Sequence, residues 1–557
     1  MNANRSLMNA ETHFSQIPNV SKSRSRFSRN GTHKTTYNTG DLIVISLDEV
    51  LPGDTITADF AHVTRMMTPI APVMDNAFLD VYAFFVPCRL LWEHWKEFWG
   101  ENNQTHWEQP IEYAIPQIEA PSGGWNTGSL ADYMGIPVGV EISVNALPFR
   151  GYCKIVNDWF RDENLKDPCY ITMDETTLTG KNKGQNYDYV TDTELGAAPY
   201  KVAKIHDYFT SCLPSPQKGP SVTLPLGQEA YVRFGDNEAI TPGSTNTALI
   251  GANAIVGKDQ QLGNIGEILP FADDGTDLRT SYDTNKGNRL IADLSTATAA
   301  TINALRQAFA VQRFFEAQGR GGSRYIEFVQ NIFGVTSPDA RQQRSEYLGG
   351  KRFNINVDQV LQTSATDQVT PQGNTAAYSC TINRDNLCTY SATEHGYFYV
   401  LGCIRTTHSY AQGLEKMWSR KKWVDFYVPQ FANLGETGVT LKEIYAQDDT
   451  VVDADGNKVN DQIFGYQEAW AEYRYKPSRV SGLMRPNVTG SLAIWNYTDL
   501  YNAVPQLSGD WIDETEENVK RTLAVQNEPQ FLSDFYVPTI WTRVMPMYSV
   551  PGLLDHH

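Results

Sequence analysis

The stretch LPGDTITADFAHVTRMMTPIAPVMDNAFLDVYAFFVPCRLLW, Leu51 to Trp92, decides the fold class. LPGD, Leu51 to Asp54, supplies the Pro and Gly of a turn. Thr55 to Thr64 then sets Ile56, Ala58 and Phe60 against Thr57, Asp59 and Ala61, the alternation of a strand with one face in a core. Ala77 to Val86 (AFLDVYAFFV) is apolar on both faces, as expected of a strand covered from both sides. Just upstream, LIVISL, Leu42 to Leu47, is another short β-branched run. Just downstream, WEHWKEFW, Trp92 to Trp99, reads as a short amphipathic or 3₁₀ segment whose aromatic density suits core or subunit packing better than a ligand cage.

Similar runs recur hundreds of residues away, at Tyr397 to Ile404, Trp423 to Val428 and Phe535 to Met545. Strands of one sheet so far apart imply Greek-key topology with long excursions between them. The chain is therefore predicted to be all-β, with its few helices in the excursions. Pro148 to Leu165 is one helix candidate, with Tyr152, Val156, Trp159 and Phe160 on one side. Ser295 to Gln318 is another, with Ser295 as N-cap, Gly319 as stop, and Ile302, Leu305 and Phe309 at helical spacing. Residues 228–290 differ in kind: eight glycines, four aromatics and no tryptophan make this a long, exposed, poorly periodic insertion.

Of 557 residues, 41% are hydrophobic, 11% aromatic and 20% charged, enough to bury a sizeable core and too apolar for a disordered chain. No run of 18 apolar residues exists, which argues against a spanning helix. The N-terminal MNANRSLMNAETHFSQ lacks an apolar signal region, so folding in a cytoplasm is expected. The seven cysteines (Cys88, Cys153, Cys169, Cys212, Cys380, Cys388, Cys403) are spread out without C-x-x-C, and free thiols are expected.

A net charge of −18 would ordinarily repel phosphates. The average conceals an asymmetry, because residues 1–40 carry six cations against Glu11, leaving the remainder at −23. Residues 1–40 are read as a flexible basic arm, with Lys22, Arg24, Arg26, Arg29 and Lys34 as the candidate nucleic-acid contacts.

Catalytic and cofactor motifs are sought without success. GANAIVGKD, Gly251 to Asp259, has the wrong glycine spacing for a phosphate loop and Asp259 where Ser or Thr must reach magnesium. Gly319 to Gly322 (GRGG) follows a helix instead of opening one, so it reads as a stop with a tight turn. Asp453 to Asn457 looks like part of a calcium loop, but Lys458 and Phe464 stand where Gly and Glu are needed, so a hairpin turn is the better account. The ten histidines cluster only at His556 and His557. Carboxylates are plentiful, and nothing in the sequence marks a glycosidase pair. No catalytic residue, cofactor or metal site is expected.

Several strings carry a resemblance: Leu51 to Trp92 above, ALPFRGYCKIVNDWFRDENL (Ala146 to Leu165), HDYFTSCLPSPQKGPSVTLPLG (His206 to Gly227), ATAATINALRQAF (Ala297 to Phe309), FGVTSPDARQQRSEYLGG (Phe333 to Gly350) and GYQEAWAEYRYKPSRVSG (Gly465 to Gly482). In this order they closely resemble the major capsid protein of gokushoviruses, small tailless single-stranded DNA bacteriophages of the microvirus family. The resemblance implies an eight-stranded antiparallel jelly roll with long loop insertions, one capsid domain over residues 41–557. It implies pentamers and a full T=1 capsid around a circular single-stranded DNA genome, assembled in the bacterial host cytoplasm and ending in the virion. Implied partners are a small basic internal DNA-binding protein, a pilot protein and a bacterial host-surface receptor engaged by residues 228–290 as a protrusion near a threefold axis. The competing class is a carbohydrate-binding or carbohydrate-active β-sandwich, since jelly rolls host both.

Overall fold

The computed structural model describes residues 23–101, 112–184, 186–220, 222, 231–234, 290–293, 302–363, 372–373 and 375–548. Eight long strands make two antiparallel sheets: β1 (Ser25–Tyr37), β2 (Ile43–Val50), β3 (Thr55–Met66), β4 (Ala77–Pro87), β5 (Glu346–Ile355), β6 (Thr381–Ser391), β7 (Gly396–Thr406) and β8 (Phe531–Arg543). The first sheet runs β1-β8-β3-β6 and the second β5-β4-β7-β2. One compact unit contains both sheets, drawing on the chain up to Lys218 and from Glu316 on. The other is Gly219–Phe315, in which strand Tyr231–Phe234 pairs antiparallel with Leu290–Asp293.

Alternation decides which faces meet. In β3, Ile56, Ala58 and Phe60 are buried as the pattern requires, and His62 and Thr64 continue the buried row. Phe85 of β4 packs on Tyr390 of β6, and Phe398 of β7 packs edge-on to Trp541 of β8, so the two sheets share one core. The opposite face of β4 is covered by helix α1 (Leu147–Ile155) and its continuation Val156–Phe160, with Phe160 on Tyr82 and Trp159 on Phe84. This is why β4 reads apolar on both faces. Gly151 lets α1 approach β7 closely: a Cβ there would lie 2.2 Å from the Tyr399 hydroxyl, which donates to the Pro148 carbonyl at 2.7 Å. Pro538 is tolerated inside β8 because the ladder to β3 passes from the Tyr536–Ala61 pair to the Thr539–Ala58 pair, skipping residues 537 and 538. A second cluster, including Tyr208, Phe209, Tyr410, Leu441, Ile444 and Phe464, gives the excursions a core of their own.

Three expectations are corrected. Residues 25–37 are not a flexible arm: all thirteen pair with β8, from Ser25 opposite Arg543 to Tyr37 opposite Phe531. Phe27, His33, Thr35 and Tyr37 share one phase of the strand, and threonines supply β propensity that the basic, Ser-rich composition obscures. Lys22 and the residues before it lie outside the described residues. Trp423 to Val428 is not a strand but a 3₁₀ turn, Trp423–Asp425, because the Asp425 carboxylate accepts the backbone N–H groups of Lys421 and Lys422 and bends the chain. Gly319 does not stop its helix. The helix α2 spans Ile302–Gly321 and the chain turns at Gly322, φ +91°, where Gly is needed. Arg320 holds that last turn by pairing with Glu436 and Gln467. Ser295 and the Gly251 to Asp259 stretch lie outside the described residues.

Asp453 to Asn457 is the hairpin turn expected, with Val452 bridged to Lys458 and the Asp453 carboxylate accepting the N–H groups of Asp455 and Asn457. All seven cysteines are free, and six are buried, with Cys380 half-buried. Burial pushes the Cys388 and Cys403 thiols up to about 12, so neither supplies thiolate at neutral pH. Alkylation under denaturing conditions should add seven labels to the intact mass, and native alkylation at most one; a disulfide on a non-reducing gel would contradict this.

Candidate nucleic-acid interface

The solvent face of the first sheet is set by strand phase. Directly opposite residues share a face, so the register places Arg26 of β1, Thr542 of β8 and Thr55 of β3 on one side. The same side carries Lys34 and Asp534, then Leu532 and Arg65, then Ala61 and Arg384 of β6. Four cations, Arg26, Lys34, Arg65 and Arg384, thus stand on this face with Asp59 and Asp534. Lys34 lies 3.9 Å from Asp534 and Arg384 3.4 Å from Asp59; such exposed pairs are weakly held and open readily to a phosphate.

The four candidate cations among the described residues divide, with Arg26 and Lys34 on this face. Arg24 precedes β1 beside the Gly53 turn. Arg29 points to the other phase, where its guanidinium pairs with Asp48 of β2 at 2.8 Å and lies 4.9 Å over the Trp541 ring. It fastens the edge of one sheet to the other. Arg65 lies one residue past the strand expected at Thr55 to Thr64, and Arg384 sits in β6, whose polar sequence TINRDNLCTYS carries no strand alternation. Arg65 was nonetheless legible, being out of phase with Phe60, His62 and Thr64.

A deeply buried ionic cluster around His408 ties segments of the fold together. His408 Nδ1 is 2.9 Å from Asp499 and Nε2 is 3.1 Å from Glu514, with the three side chains 1%, 5% and 0% exposed. Lys204 and Asn518 also reach Asp499, and Thr406 donates to Glu514. Burial pushes the His408 imidazole down, but the charges and hydrogen bonds of the two carboxylates outweigh it and raise the pKa to about 10. Burial likewise opposes ionisation of Asp499, and His408 and Lys204 overcome it, holding that carboxyl well below the usual range. Both carboxylates are engaged by His408, Asp499 also by Lys204 and Asn518 and Glu514 also by Thr406.

Comparison with known proteins bears on the whole chain. Residues 15–553 match the family described as capsid protein (F protein). The chain belongs to that family. It is 42% identical to capsid protein VP1 of Spiroplasma virus 4, over 99% of this chain and all of the relative. It is 39% identical to capsid protein VP1 of Bdellovibrio phage phiMH2K and 38% identical to that of Chlamydia phage 1, over 97% of each chain in both cases. The resemblance to gokushovirus major capsid proteins therefore holds. As a phage capsid protein the chain has a structural role, and its place is the virion.

Proposed function

We propose that this chain is the major capsid protein of a T=1 icosahedral shell enclosing a circular single-stranded DNA genome, and that its eight long strands form a jelly roll. The observation that carries the reading is the strand order, in which β1 and β3 alternate with β8 and β6 while β2 and β4 alternate with β7 and β5. That interleaving of early and late strands is the order of two Greek keys folded together, as in viral capsid domains. Subunits meet through apolar surface that a lone chain leaves in water. Helix α3 (Tyr325–Phe333) has no buried residue and exposes Tyr325, Ile332 and Phe333. Pentamers form first in the host cytoplasm, and a closed shell then repeats modest contacts many times. Negative-stain microscopy of the expressed protein should show isometric particles with one subunit per icosahedral asymmetric unit; a monomer that binds or cleaves glycan would overturn the reading.

The DNA contact is electrostatic and falls to Lys22, Arg24, Arg26 and Lys34, and to Arg65 and Arg384 on the face that carries Arg26 and Lys34. A small basic internal protein carries the rest of the neutralisation, a pilot protein accompanies the genome, and residues 228–290 engage a host-surface receptor. Replacing Arg24, Arg26 and Lys34 with Ala should lower packaged DNA per particle, most steeply at low salt during assembly, while shells still form. Arg29→Ala should instead loosen the sheet edge by about 0.2–1 kcal/mol and leave DNA content unchanged. Full genome content in the triple variant would remove this face as a contact.

A further inference from the structure

Outside the two sheets, the excursions enclose an open cavity of about 580 Å³ whose lining includes Lys416, Arg420, Arg474, Lys476, Arg479 and Arg485. Three carboxylates line it too, and each is already engaged. Glu415 pairs with Arg479 at 3.0 Å, Glu472 with Arg420 at 2.9 Å, and Glu443 accepts from the Tyr208 hydroxyl at 3.0 Å. Lys416 and Lys476 have no carboxylate within ion-pair distance among the described residues, and Arg474 is half-exposed in an ion pair with Glu468, a solvent-accessible pair that a phosphate can compete for. On a chain of net charge −18 this is a local reversal of sign.

Aromatic faces are interleaved with these cations. Trp418 is 68% exposed and Tyr475 53% exposed, both on the cavity lining. Tyr473 is held under the Arg420 guanidinium at 4.4 Å, and Arg474 stands 5.7 Å from the Tyr475 ring. Cations that track a phosphate backbone, alternating with aromatic rings on which bases stack, are what single-stranded nucleic acid requires; neither needs a particular base sequence. A folded acidic partner would also match this charge and these aromatics, but the two cation–ring contacts here set guanidinium and ring side by side, as a phosphate backbone and its bases are. A second copy of this chain, itself strongly acidic, is the other occupant to weigh.

We propose that this cavity is a second, sequence-independent binding site for the single-stranded DNA, with phosphates on Lys416, Arg474 and Lys476 and bases on Trp418 and Tyr475. The inference rests on the reading that the chain encloses single-stranded DNA. It also adds a local excess of cations, six against three engaged carboxylates, to a body of −23 whose Arg29 is spent on Asp48.

The test titrates the full-length protein with short fluorescent oligo-dT between about 50 and about 200 mM salt, alongside DNA content of particles made from the same variants. Lys416→Ala with Lys476→Ala should weaken binding at least about tenfold at the lower salt and reduce the salt slope by about 1.4, two single-strand phosphates' worth. Trp418→Leu should weaken binding about five- to a hundredfold with the slope unchanged, the signature of lost stacking. Wild-type affinity and slope in both variants would overturn the site. So would variants that bind oligo-dT normally yet fail to assemble, since the face would then be a contact between copies. If the Arg24, Arg26 and Lys34 variant loses DNA while the cavity variants keep it, this site fails and the enclosing role stands. If the wild-type protein neither binds oligo-dT nor packages DNA, the enclosing role itself fails.

Discussion

Replacing His408 with Leu should prevent the chain from yielding assembly-competent subunits. The substitution leaves Asp499 and Glu514 buried without the cation between them, a loss of about 3–5 kcal/mol for a broken buried ion pair and a large part of a typical domain's stability. The residues tied together come from distant segments, since His408 follows β7, Lys204 lies in the first long excursion, and Asp499, Glu514 and Asn518 precede β8. Asp75 and Arg521 also act on this cluster, one on each ion's side of the balance. His408→Gln, which keeps hydrogen bonding without the charge, should fold and be weaker, so the pH profile remains measurable. The sign follows from the shift: the folded-state pKa, about 10, stands above the ordinary 6.5, so the stabilisation is complete below pH 6.5 and is lost as pH rises through 10. Between about pH 7.5 and 8.5 the unfolding free energy should fall by about 1.4 kcal/mol per pH unit. The difference between the wild-type and His408→Gln profiles isolates the imidazole: Asp513, raised by burial to about 6, has finished titrating below this window, and buried thiols such as Cys388 and Cys403, which begin to ionise in the unfolded chain at its upper edge, contribute equally to both proteins. A wild-type profile as flat as that of His408→Gln would mean that the imidazole is neutral in the folded chain.

What could be read from the sequence was whatever a single strand declares about itself. β3, β4, β7 and β8 were legible because period-2 alternation or a two-sided apolar run is a local signal. The partner of each strand was not, because pairing such as β1 with β8 joins residues near opposite ends of the chain and leaves no local trace. β1 was hidden by composition. Serines and cations argue for solvation, and only the phase of Phe27, His33, Thr35 and Tyr37 argues for a sheet. Trp423 to Val428 failed in the opposite direction, since its aromatic residues have strand propensity while Asp425 claims the local N–H groups. The cations of the arm were visible as charge, but their division into Arg26 and Lys34 on the open face and Arg29 in an ion pair needed the register. The cavity around Lys416 and Lys476 was invisible because its lining is gathered from separate segments, around Tyr208, Tyr410 to Arg420, Glu443 and Glu472 to Arg485; the last carries four cations against Glu472, but nothing local shows what those cations face.

Removing residues 235–289 should leave shells intact and abolish adsorption to the host. The structural argument begins at the base. Phe234 stands directly opposite Leu290, and the ladder runs on to Tyr231 opposite Asp293, so a short Gly-containing turn can join 234 to 290 and close a hairpin without disturbing the pairing. The insertion is rich in Gly, Thr, Asn and Asp and poor in large apolar groups, a composition expected to bury little area at roughly 25 cal/mol/Å² and to contribute little to folding. Its ordering entropy, roughly 1–2 kcal/mol per residue, is therefore expected to be offset from outside the segment. On the proposed attachment role, what the segment meets outside the shell accounts for its presence. Particles of the deletion variant should therefore sediment and melt as wild type does, while adsorption falls by orders of magnitude, and grafting a relative's insertion onto the same two strands should restore adsorption with that relative's host range. Unchanged adsorption by intact deleted particles would move attachment to another surface. Loss of shells would assign the insertion to assembly, as a cap that copies share around a symmetry axis.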